Sequence, residues 1–301
     1  MSSQKRIGFI GLGAMGKPMA KNLLNAGFEL VVYDINPDPV KALVSSGAEA
    51  GESAAETAAV ADVVITILPE CEHVKTVYLG ENGIIQSAGR GTVLIDMSSI
   101  APHTTKLVAA EAEDRGCPFM DAPVSGGTVG AEKGSLTIMV GGDEALLEAH
   151  RNILETMGKT IYHLGPVGMG ETVKMINQIL VGINIMGIAE AFTLGVKLGA
   201  DPQVLYEVIR TSSGNSFLID GRVPNYILKG DFDQPGFALN LLRKDVGLAV
   251  ESAKMHSVPL FLAGQVFQYL TMASASGLGG KDMSSVIQLM EQVTGVEVRS
   301  K

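Results

Sequence analysis

A lysine and two amide side chains fall on one face of a long apolar segment. In GMGETVKMINQIL, Lys174 precedes Asn177 by three residues and Gln178 by four, a spacing that brings side chains together on a helix. A lysine beside amides in half-buried surroundings can have a lowered pKa and relay a proton. The same spacing is compatible with a lysine that reaches solvent from a helix end while the amides bond a neighbouring helix.

A serine and two glycines end the strand-like run CPFMDAPV. The stretch DAPVSGG, Asp121–Gly127, offers the Ser125 hydroxyl and two backbone amides, at Gly126 and Gly127, that no side chain covers. Such a stretch can be an ordinary turn. Taken together with Lys174, it is predicted to be a clamp for an anion.

The N-terminal segment contains the pattern Gly11-x-Gly13-x-x-Gly16 between an apolar run, RIGFI, and a helical pattern. The next apolar run, ELVVYD, ends at Asp34, 18 residues after Gly16. A tight turn, bare backbone, a helix start and then a carboxylate are what a dinucleotide needs for its pyrophosphate and ribose. Asp34 would repel a 2′-phosphate, and Ile35–Pro37 supply no arginine, so NAD(H) is predicted rather than NADP(H). The alternative is a glycine turn without ligand, in which Asp34 only caps the turn.

Other candidate groups for proton transfer are less well placed. The five histidines are His73, His103, His150, His163 and His256. None of them is flanked by a recognisable set of catalytic residues, and most are expected to be exposed polar residues. Lys244 interrupts an apolar helix together with Arg243 and Asp245. It could reach a cofactor or a substrate carboxylate, or the three charges could form a solvated helix face.

Composition narrows the class of protein. Length 301 favours two domains, and 46% hydrophobic with 18% charged residues is typical of a globular protein with a large core. With 23 Lys and Arg against 32 Asp and Glu the net charge is −9, which disfavours binding to nucleic acid or an anionic membrane. Two cysteines, Cys71 and Cys117, form neither a disulfide framework nor a metal site, and a reducing cytoplasm is the expected location.

Two segments bear on targeting. The N-terminal apolar run is too short for a signal peptide. The stretch MINQILVGINIMGIAEAF carries Asn177, Gln178, Asn184 and Glu190, so a buried helix is predicted rather than a membrane span.

The first half alternates strand and helix patterns, which predicts a parallel, doubly wound sheet. The expected strands are Arg6–Ile10, Leu30–Tyr33, Val63–Ile67, Val93–Asp96, Phe119–Val124 and Leu136–Val140. The expected helices are Ala14–Ala26, Pro39–Ser45, His103–Arg115 and Glu144–Met157.

The second half shows no convincing strand. The expected helices there are Glu171–Leu198, Pro202–Thr211, Leu239–His256, Leu260–Ala275 and Asp282–Val293. The boundary is predicted near Gly165–Gly170, with domains 1–165 and 166–301.

Four stretches, in this order, resemble the β-hydroxyacid dehydrogenases, also called the 3-hydroxyisobutyrate dehydrogenase family. They are GFIGLGAMGKPMAKNL, DAPVSGG, the GxGxxxKxxNQ pattern from Gly168 and the GFxxxLxxKD pattern from Gly236. The resemblance covers essentially the whole chain. It implies an α/β Rossmann-type N-terminal domain and an all-α C-terminal domain joined by a long interdomain helix.

The resemblance also implies roles for individual residues. Lys174 matches the catalytic general acid/base. Positions that match substrate contacts are Ser125, Gly126, Gly127, Asn177, Gln178, Phe237 and Asp245. Positions that match cofactor contacts are Gly11, Leu12, Gly13, Ala14, Met15, Gly16, Asp34, Leu68, Pro69, Ser99 and Lys244. Many relatives have Asn where this chain has Gln178, and no metal is implied.

Within the family, LGENGII, GTVLIDMSSIAP and VTGVEV look most like tartronate semialdehyde reductases. GTVGAEKGSLTIMVGG and the C-terminal segment from GLGGKD are also similar to 2-(hydroxymethyl)glutarate dehydrogenases, and SSG to 3-hydroxyisobutyrate dehydrogenases. The implied reaction is reversible hydride transfer between NAD, with NADP possible, and a small β-hydroxy acid or semialdehyde, in a homodimer or homotetramer. Succinic semialdehyde or glyoxylate reduction, imine reduction and non-catalytic NAD sensing are the alternatives.

Overall fold

The computed structural model describes residues 5–300. Nine strands lie in the first part of the chain: β1 Arg6–Ile10, β2 Glu29–Tyr33, β3 Glu49–Ala50, β4 Val63–Thr66, β5 Val93–Asp96, β6 Phe119–Asp121, β7 Val124–Ser125, β8 Leu136–Val140 and β9 Gly158–His163. The helices between them are α1 Gly16–Asn25, α2 Pro37–Val44, α3 Ala54–Ala59, α4 Cys71–Leu79, α5 Ile84–Ser87, α6 Pro102–Asp114, α7 Gly127–Glu132 and α8 Glu144–Glu155.

Six parallel strands form the main sheet, in the order β3-β2-β1-β4-β5-β6. Gly8 of β1 pairs with Val31 on one side and with Val64 on the other. The chain order reverses at β1, and in sheets of this order the crevice beyond the strand ends at the reversal is where dinucleotides bind. The predicted Rossmann-type sheet is confirmed.

Helices cover both faces of this sheet, which explains the nearly all-apolar strands. Neighbouring residues of β1 belong to different core clusters: Phe9 packs with Val32 and Ile95, whereas Ile10 packs with Val64 and Leu94. Strands β1, β4, β5 and β6 therefore contribute to two cores at once.

A second, three-stranded sheet has the order β7-β8-β9, with β7 antiparallel and β9 parallel to β8. Two predictions were wrong here. Leu136–Val140 belongs to this sheet instead of the main one, and the single strand expected over Phe119–Val124 is divided between β6 and β7. Pro123 lies at the division, where its missing N–H removes a donor that a continuous ladder would need. Strand β9 was not predicted, because its Lys159, Thr160 and Tyr162 are exposed.

The remaining described chain is helical, as predicted. It contains α9 Met169–Lys197, α10 Pro202–Ile209, α11 Phe217–Arg222, α12 Leu239–Met255, α13 Phe261–Ala273 and α14 Ile287–Thr294, with π-helical turns at Val223–Ile227 and Ser274–Leu278 and a 3₁₀ turn at Met283–Val286. A separate hydrophobic core joins Phe192 of α9 with Leu242 of α12 and Leu270 of α13. The chain forms two compact units, Met1–Lys174 and Met175–Lys301, a division that falls inside α9. The boundary at 165/166 stays a prediction.

Helix α9 is less buried than predicted. Of its most apolar 18-residue window 39% is buried, and Ile176, Leu180 and Leu194 are exposed. By length and a mean hydropathy of 1.9 it is the single helix in residues 5–300 that could cross a membrane. Core helices of soluble proteins pass the same test, so this finding is weak evidence for a span.

Two of the three glycines in the loop between β1 and α1 set its shape. Gly11 has a φ of +95°, a conformation that residues with a side chain rarely adopt. A β-carbon at Gly16 would overlap the carbonyl oxygen of Gly11, so α1 begins this close to β1 only without a side chain. A β-carbon at Gly13 would meet no atom within 4 Å. Packing therefore does not require Gly13, and the open space there leaves the backbone accessible to a ligand.

This difference predicts that a glycine-to-alanine substitution affects stability at Gly16 and ligand binding at Gly13. Gly16→Ala should lower the free energy of unfolding by about 1–3 kcal/mol through overpacking. Gly13→Ala should leave it within about 0.5 kcal/mol of wild type, yet weaken NADH binding on the order of tenfold by occupying space at the backbone. Urea denaturation and NADH fluorescence titration of both variants test this. Wild-type NADH affinity in Gly13→Ala would show that the loop does not hold the dinucleotide.

Candidate active site

Asp34 locks the glycine loop to the end of β2. Its Oδ2 accepts a hydrogen bond from the Leu12 amide at 2.5 Å, and its Oδ1 accepts one from the Asn36 amide at 2.7 Å. The capping role that the sequence left open is therefore present. A carboxylate oxygen can accept two hydrogen bonds, so each oxygen keeps capacity for a ribose hydroxyl. Together with the open space at Gly13, the residues present fit a dinucleotide.

An open cleft of about 820 Å³ lies along α1 beside this loop. Its lining includes three of the predicted cofactor residues together with basic and amide side chains: Leu12, Gly13, Ala14, Lys17, Lys21 and Asn36. Met15 is half-buried and Gly16 is buried, so these two support the loop from within.

Leu68, a predicted cofactor contact after β4, is held through Ser98 by a buried aspartate whose part was not predicted. Asp96 is 0% exposed and accepts a 2.5 Å hydrogen bond from the Ser98 hydroxyl. The Ser98 oxygen in turn accepts the Leu68 amide at 2.8 Å. Pro69 is exposed and Ser99 half-buried. The available signal was a charged residue that ends an otherwise apolar strand, VLID.

The Ser125–Gly127 segment adopts backbone conformations that favour glycine. Ser125 ends β7 and is half-buried, whereas Gly126 is exposed. Gly126 has a φ of +136° and Gly127 a φ of +63°. Side chains at these two positions would be strained, so the bare amides next to Ser125 are a requirement of the turn itself.

Asp121, at the start of DAPVSGG, is a second buried aspartate whose part was not predicted. Its Oδ1 accepts the Gly168 amide at 2.7 Å and its Oδ2 accepts the Glu171 amide at 2.9 Å. Both donors lie at the start of α9. Burial raises the pKa of the Asp121 carboxyl from its ordinary 3.8 to about 6, while the two amides act in the opposite direction.

Lys174 lies on α9 three residues after Glu171 and is 6% exposed. A lysine that extends its ammonium group into solvent would have a far larger exposed fraction. The structure therefore fits the buried lysine of the first interpretation.

Asn177, Gln178, Lys244 and Asp245 form a chain of polar contacts within Met175–Lys301. Asn177 Nδ2 donates to Gln178 Oε1 at 3.0 Å, and Gln178 Nε2 donates to Asp245 Oδ2 at 2.6 Å. Lys244 Nζ lies 2.9 Å from Asp245 Oδ1. The solvated helix face considered for Lys244 does not fit, because Asp245 is buried. Gln178 connects α9 to α12.

Phe237 is half-buried in the segment before α12 and is held by Asp282. Asp282 is 0% exposed, pairs with Arg222 at 2.7 Å and accepts the Gly236 and Phe237 amides at 3.1 and 3.3 Å. From the sequence, Asp282 was expected only as the start of a helix.

Most of the histidines are exposed, as expected, namely His73, His103 and His256, whereas His150 is buried. Its Nδ1 lies 2.8 Å from the Leu146 carbonyl oxygen and its Nε2 2.6 Å from Lys5 Nζ, and burial lowers its pKa. Cys71 and Cys117 are free thiols. Within residues 5–300 no group of three or more His, Cys, Asp or Glu side chains could hold a metal ion.

The raised pKa of Asp121 predicts a pH dependence of stability. Because the folded-state pKa lies above the unfolded one, the stabilising contribution is present below about pH 4 and is lost as pH rises through about 6. Relative to Asp121→Asn, the free energy of unfolding of the wild type should fall by roughly 2 kcal/mol between pH 4.5 and 7.5. Urea denaturation of both proteins at the two pH values tests this. A difference that does not change with pH would contradict it.

Both halves of the chain match known family models. Residues 6–165 match the NAD binding domain of 6-phosphogluconate dehydrogenase, and residues 168–290 match the model described as NAD-binding of NADP-dependent 3-hydroxyisobutyrate dehydrogenase.

Individual relatives are similar over nearly the full length. The 2-(hydroxymethyl)glutarate dehydrogenase of Eubacterium barkeri is 45% identical over 298 residues, 99% of each chain. The mitochondrial 3-hydroxyisobutyrate dehydrogenase of Mus musculus is 40% identical over 297 residues, 97% of this chain and 89% of that protein. The solved structure of a Mycobacterium tuberculosis 3-hydroxyisobutyrate dehydrogenase with L-serine has a TM-score of 0.86 at 35% identity, covering 95% of this chain and 99% of that one.

These matches agree with a glycine loop and an aspartate that fit a dinucleotide and with the strand order of the sheet. They make the protein an NAD(P)-dependent oxidoreductase that acts on CH–OH groups. The chain belongs to the β-hydroxyacid dehydrogenase family, that of the 3-hydroxyisobutyrate dehydrogenases.

Proposed function

We propose that the protein is a tartronate semialdehyde reductase, which interconverts 2-hydroxy-3-oxopropanoate and D-glycerate with NADH as the reductant. The acid–base part of the proposal is supported by the burial of Lys174 on α9. Lys174 lies about one helical turn after Glu171, whose amide donates to Asp121 of the DAPVSGG segment. A lysine there, in the same compact unit as Ser125, combines a proton donor with an anion-binding turn.

In this proposal each part of the site has its own role in the reaction. NAD(H), when bound, supplies or accepts the hydride. The Ser125 hydroxyl and the amides of Gly126 and Gly127 hold the substrate carboxylate. Lys174 as an ammonium donates a proton to the carbonyl oxygen during reduction, and as a neutral amine it accepts the hydroxyl proton during oxidation. The resemblance to the family gives Asn177 the role of a substrate-binding amide.

The choice of NADH rests on Asp34. Its carboxylate would lie against the 2′-phosphate of NADPH and repel it, whereas the two ribose hydroxyls of NADH can donate to its oxygens. The bonds from Leu12 and Asn36 hold the carboxylate in place for this choice.

The choice of tartronate semialdehyde rests on sequence resemblance. The stretches LGENGII, GTVLIDMSSIAP and VTGVEV resemble those of tartronate semialdehyde reductases. The side group of this substrate is a hydroxyl.

The second candidate substrate is 2-formylglutarate, the aldehyde of 2-(hydroxymethyl)glutarate. The 45% identity to a 2-(hydroxymethyl)glutarate dehydrogenase over 99% of the chain favours it. The two substrates differ in the side group on the carbon between the carboxylate and the aldehyde.

We also propose that the protein is a cytoplasmic homodimer or homotetramer in which the helical half forms the interface. Large apolar side chains exposed on Met175–Lys301 support the assembly: Leu198, Phe217, Phe261 and Leu262 are 62–86% exposed in the single chain. Large apolar side chains exposed on a single chain are what a protein–protein interface would cover.

The proposal predicts a ranking of kcat/KM across aldehydes. The panel consists of tartronate semialdehyde, 2-formylglutarate, methylmalonate semialdehyde, succinic semialdehyde and glyoxylate, each with NADH and NADPH. We expect tartronate semialdehyde with NADH to rank first, and NADPH to be poorer by about tenfold or more because of Asp34. A preference for 2-formylglutarate would replace the substrate and keep the reaction class. Ketimines are assayed beside the aldehydes. Turnover of ketimines alone, or NADH binding without any turnover, would contradict the dehydrogenase proposal.

Lys174→Ala tests the acid–base assignment. We expect kcat to fall by about 10²–10⁴-fold, the range for loss of a general acid, while the Kd for NADH stays at the wild-type value. Lys197→Ala is the matched control, because Lys197 lies at the other end of α9 and donates to the Thr294 carbonyl oxygen. Wild-type turnover in Lys174→Ala, or an equal loss in Lys197→Ala, would show that Lys174 is not the acid.

A further inference from the structure

We infer that Asp121 is a positioning residue that sets the separation between the Ser125–Gly127 turn and Lys174. The inference rests on the proposed function, because it gives these two segments their roles. Asp121, Ser125 and Lys174 all lie within the compact unit Met1–Lys174.

The backbone of Asp121 is fixed on the side of the DAPVSGG segment. Its amide donates to the Gly141 carbonyl oxygen at 3.0 Å, and the Gly141 amide donates to its carbonyl oxygen at 2.8 Å. The next amide, of Ala122, donates to the Asp96 carbonyl oxygen at 2.7 Å. These bonds hold the strand end from which Ser125 follows four residues later.

The side chain of Asp121 is fixed on the side of α9. The first N–H groups of a helix have no partner within it and are ordinarily satisfied by the side chain of the residue that precedes the helix. That residue here is Gly168, which has no side chain and a φ of +91°. Asp121 takes over the role from 47 residues away and binds both the Gly168 and the Glu171 amides.

The surroundings of the carboxylate leave it little freedom to move. A β-carbon at Gly141 would lie 2.5 Å from Asp121 Oδ1, and one at Gly170 would lie 2.8 Å from Asp121 Oδ2. Two glycines therefore allow the chain to close around this side chain. With Asp121 0% exposed, water cannot substitute for it as the acceptor.

The consequence for Lys174 follows from helix geometry. Lys174 lies three residues, or just under one turn, after Glu171, so a displaced first turn would move its ammonium group relative to Ser125. Misplacement of a catalytic group by about 1 Å can cost about 10²-fold in rate. One residue thus holds the anion-binding turn through its backbone and the acid–base helix through its side chain.

Asp121→Asn, Asp121→Ala and the control Asp143→Ala test the inference. Asp143 caps α8 in the same unit, where its Oδ1 accepts the Leu146 amide at 2.8 Å, and α8 carries no residue of the proposed site. We expect kcat to fall by about 10- to 100-fold in Asp121→Asn, and further in Asp121→Ala, since asparagine keeps one acceptor oxygen. KM for NADH should stay within twofold of wild type in both. Asp143→Ala should keep the wild-type kcat although it too loses a helix cap.

Hydrogen exchange supplies the readout that does not depend on turnover. In the Asp121 variants the amides of residues 168–174 should exchange faster, while in Asp143→Ala only the first turn of α8 should. In the wild type the Gly168 and Glu171 amides should exchange as slowly as amides in the interior of α9, and this measurement needs no variant to fold. If no aldehyde is turned over, the proposed function fails, yet exchange still decides whether Asp121 holds the helix start.

Three outcomes would overturn the inference. They are wild-type kcat in Asp121→Asn, unchanged exchange at residues 168–174, or a kcat loss in Asp143→Ala equal to that in Asp121→Asn. The last would mean that loss of stability, and not position, lowers the rate.

Discussion

Backbone amides at the starts of helices and in tight turns have no partner within their own element, and when buried they must find one elsewhere. In this protein aspartate side chains fill that need. Asp34 accepts the Leu12 amide of the glycine loop, and Asp121 accepts the Gly168 and Glu171 amides at the start of α9. Asp282 accepts the Gly236 and Phe237 amides before α12. The segments predicted to contact cofactor or substrate are thus fixed by hydrogen bonds from their backbone amides to carboxylates that are distant in sequence.

Aspartate suits this task because an ionised carboxylate accepts on both oxygens and donates on neither. An asparagine in the same place would direct an NH₂ group toward one of the amides. The arrangement has an electrostatic cost, since burial disfavours the charge, and the raised pKa of Asp121 reflects it. Where a cation is within reach the cost is offset, as for Asp282 with Arg222 and Asp245 with Lys244. Asp121 is instead compensated by backbone dipoles.

Features that depend on neighbours in sequence could be predicted, and features that depend on distant contacts could not. The glycine loop, Asp34 and α9 follow from local spacing, and the parallel sheet follows from the alternation of strands and helices, although its strand β3 was not predicted. The acceptor role of Asp121 depends on Gly168, 47 residues away, and that of Asp245 on Gln178, 67 residues away. Strand β9 escaped because its side chains are exposed and carry no apolar run. The strand expected to continue to Val124 ends at Asp121 instead, because Pro123 lacks the N–H that a continuous strand would need, although the residues around it are apolar.

The two bonds that Asp34 accepts have a consequence for attempts to redesign the coenzyme preference. A protein engineer who wishes to admit a 2′-phosphate would first neutralise this carboxylate and add an arginine nearby. Here that exchange would also release the Leu12 and Asn36 amides, and with them the attachment of the glycine loop to β2. Coenzyme choice and loop order are thus encoded in one side chain. A successful redesign would have to replace the structural bonds of Asp34 before it removed the charge.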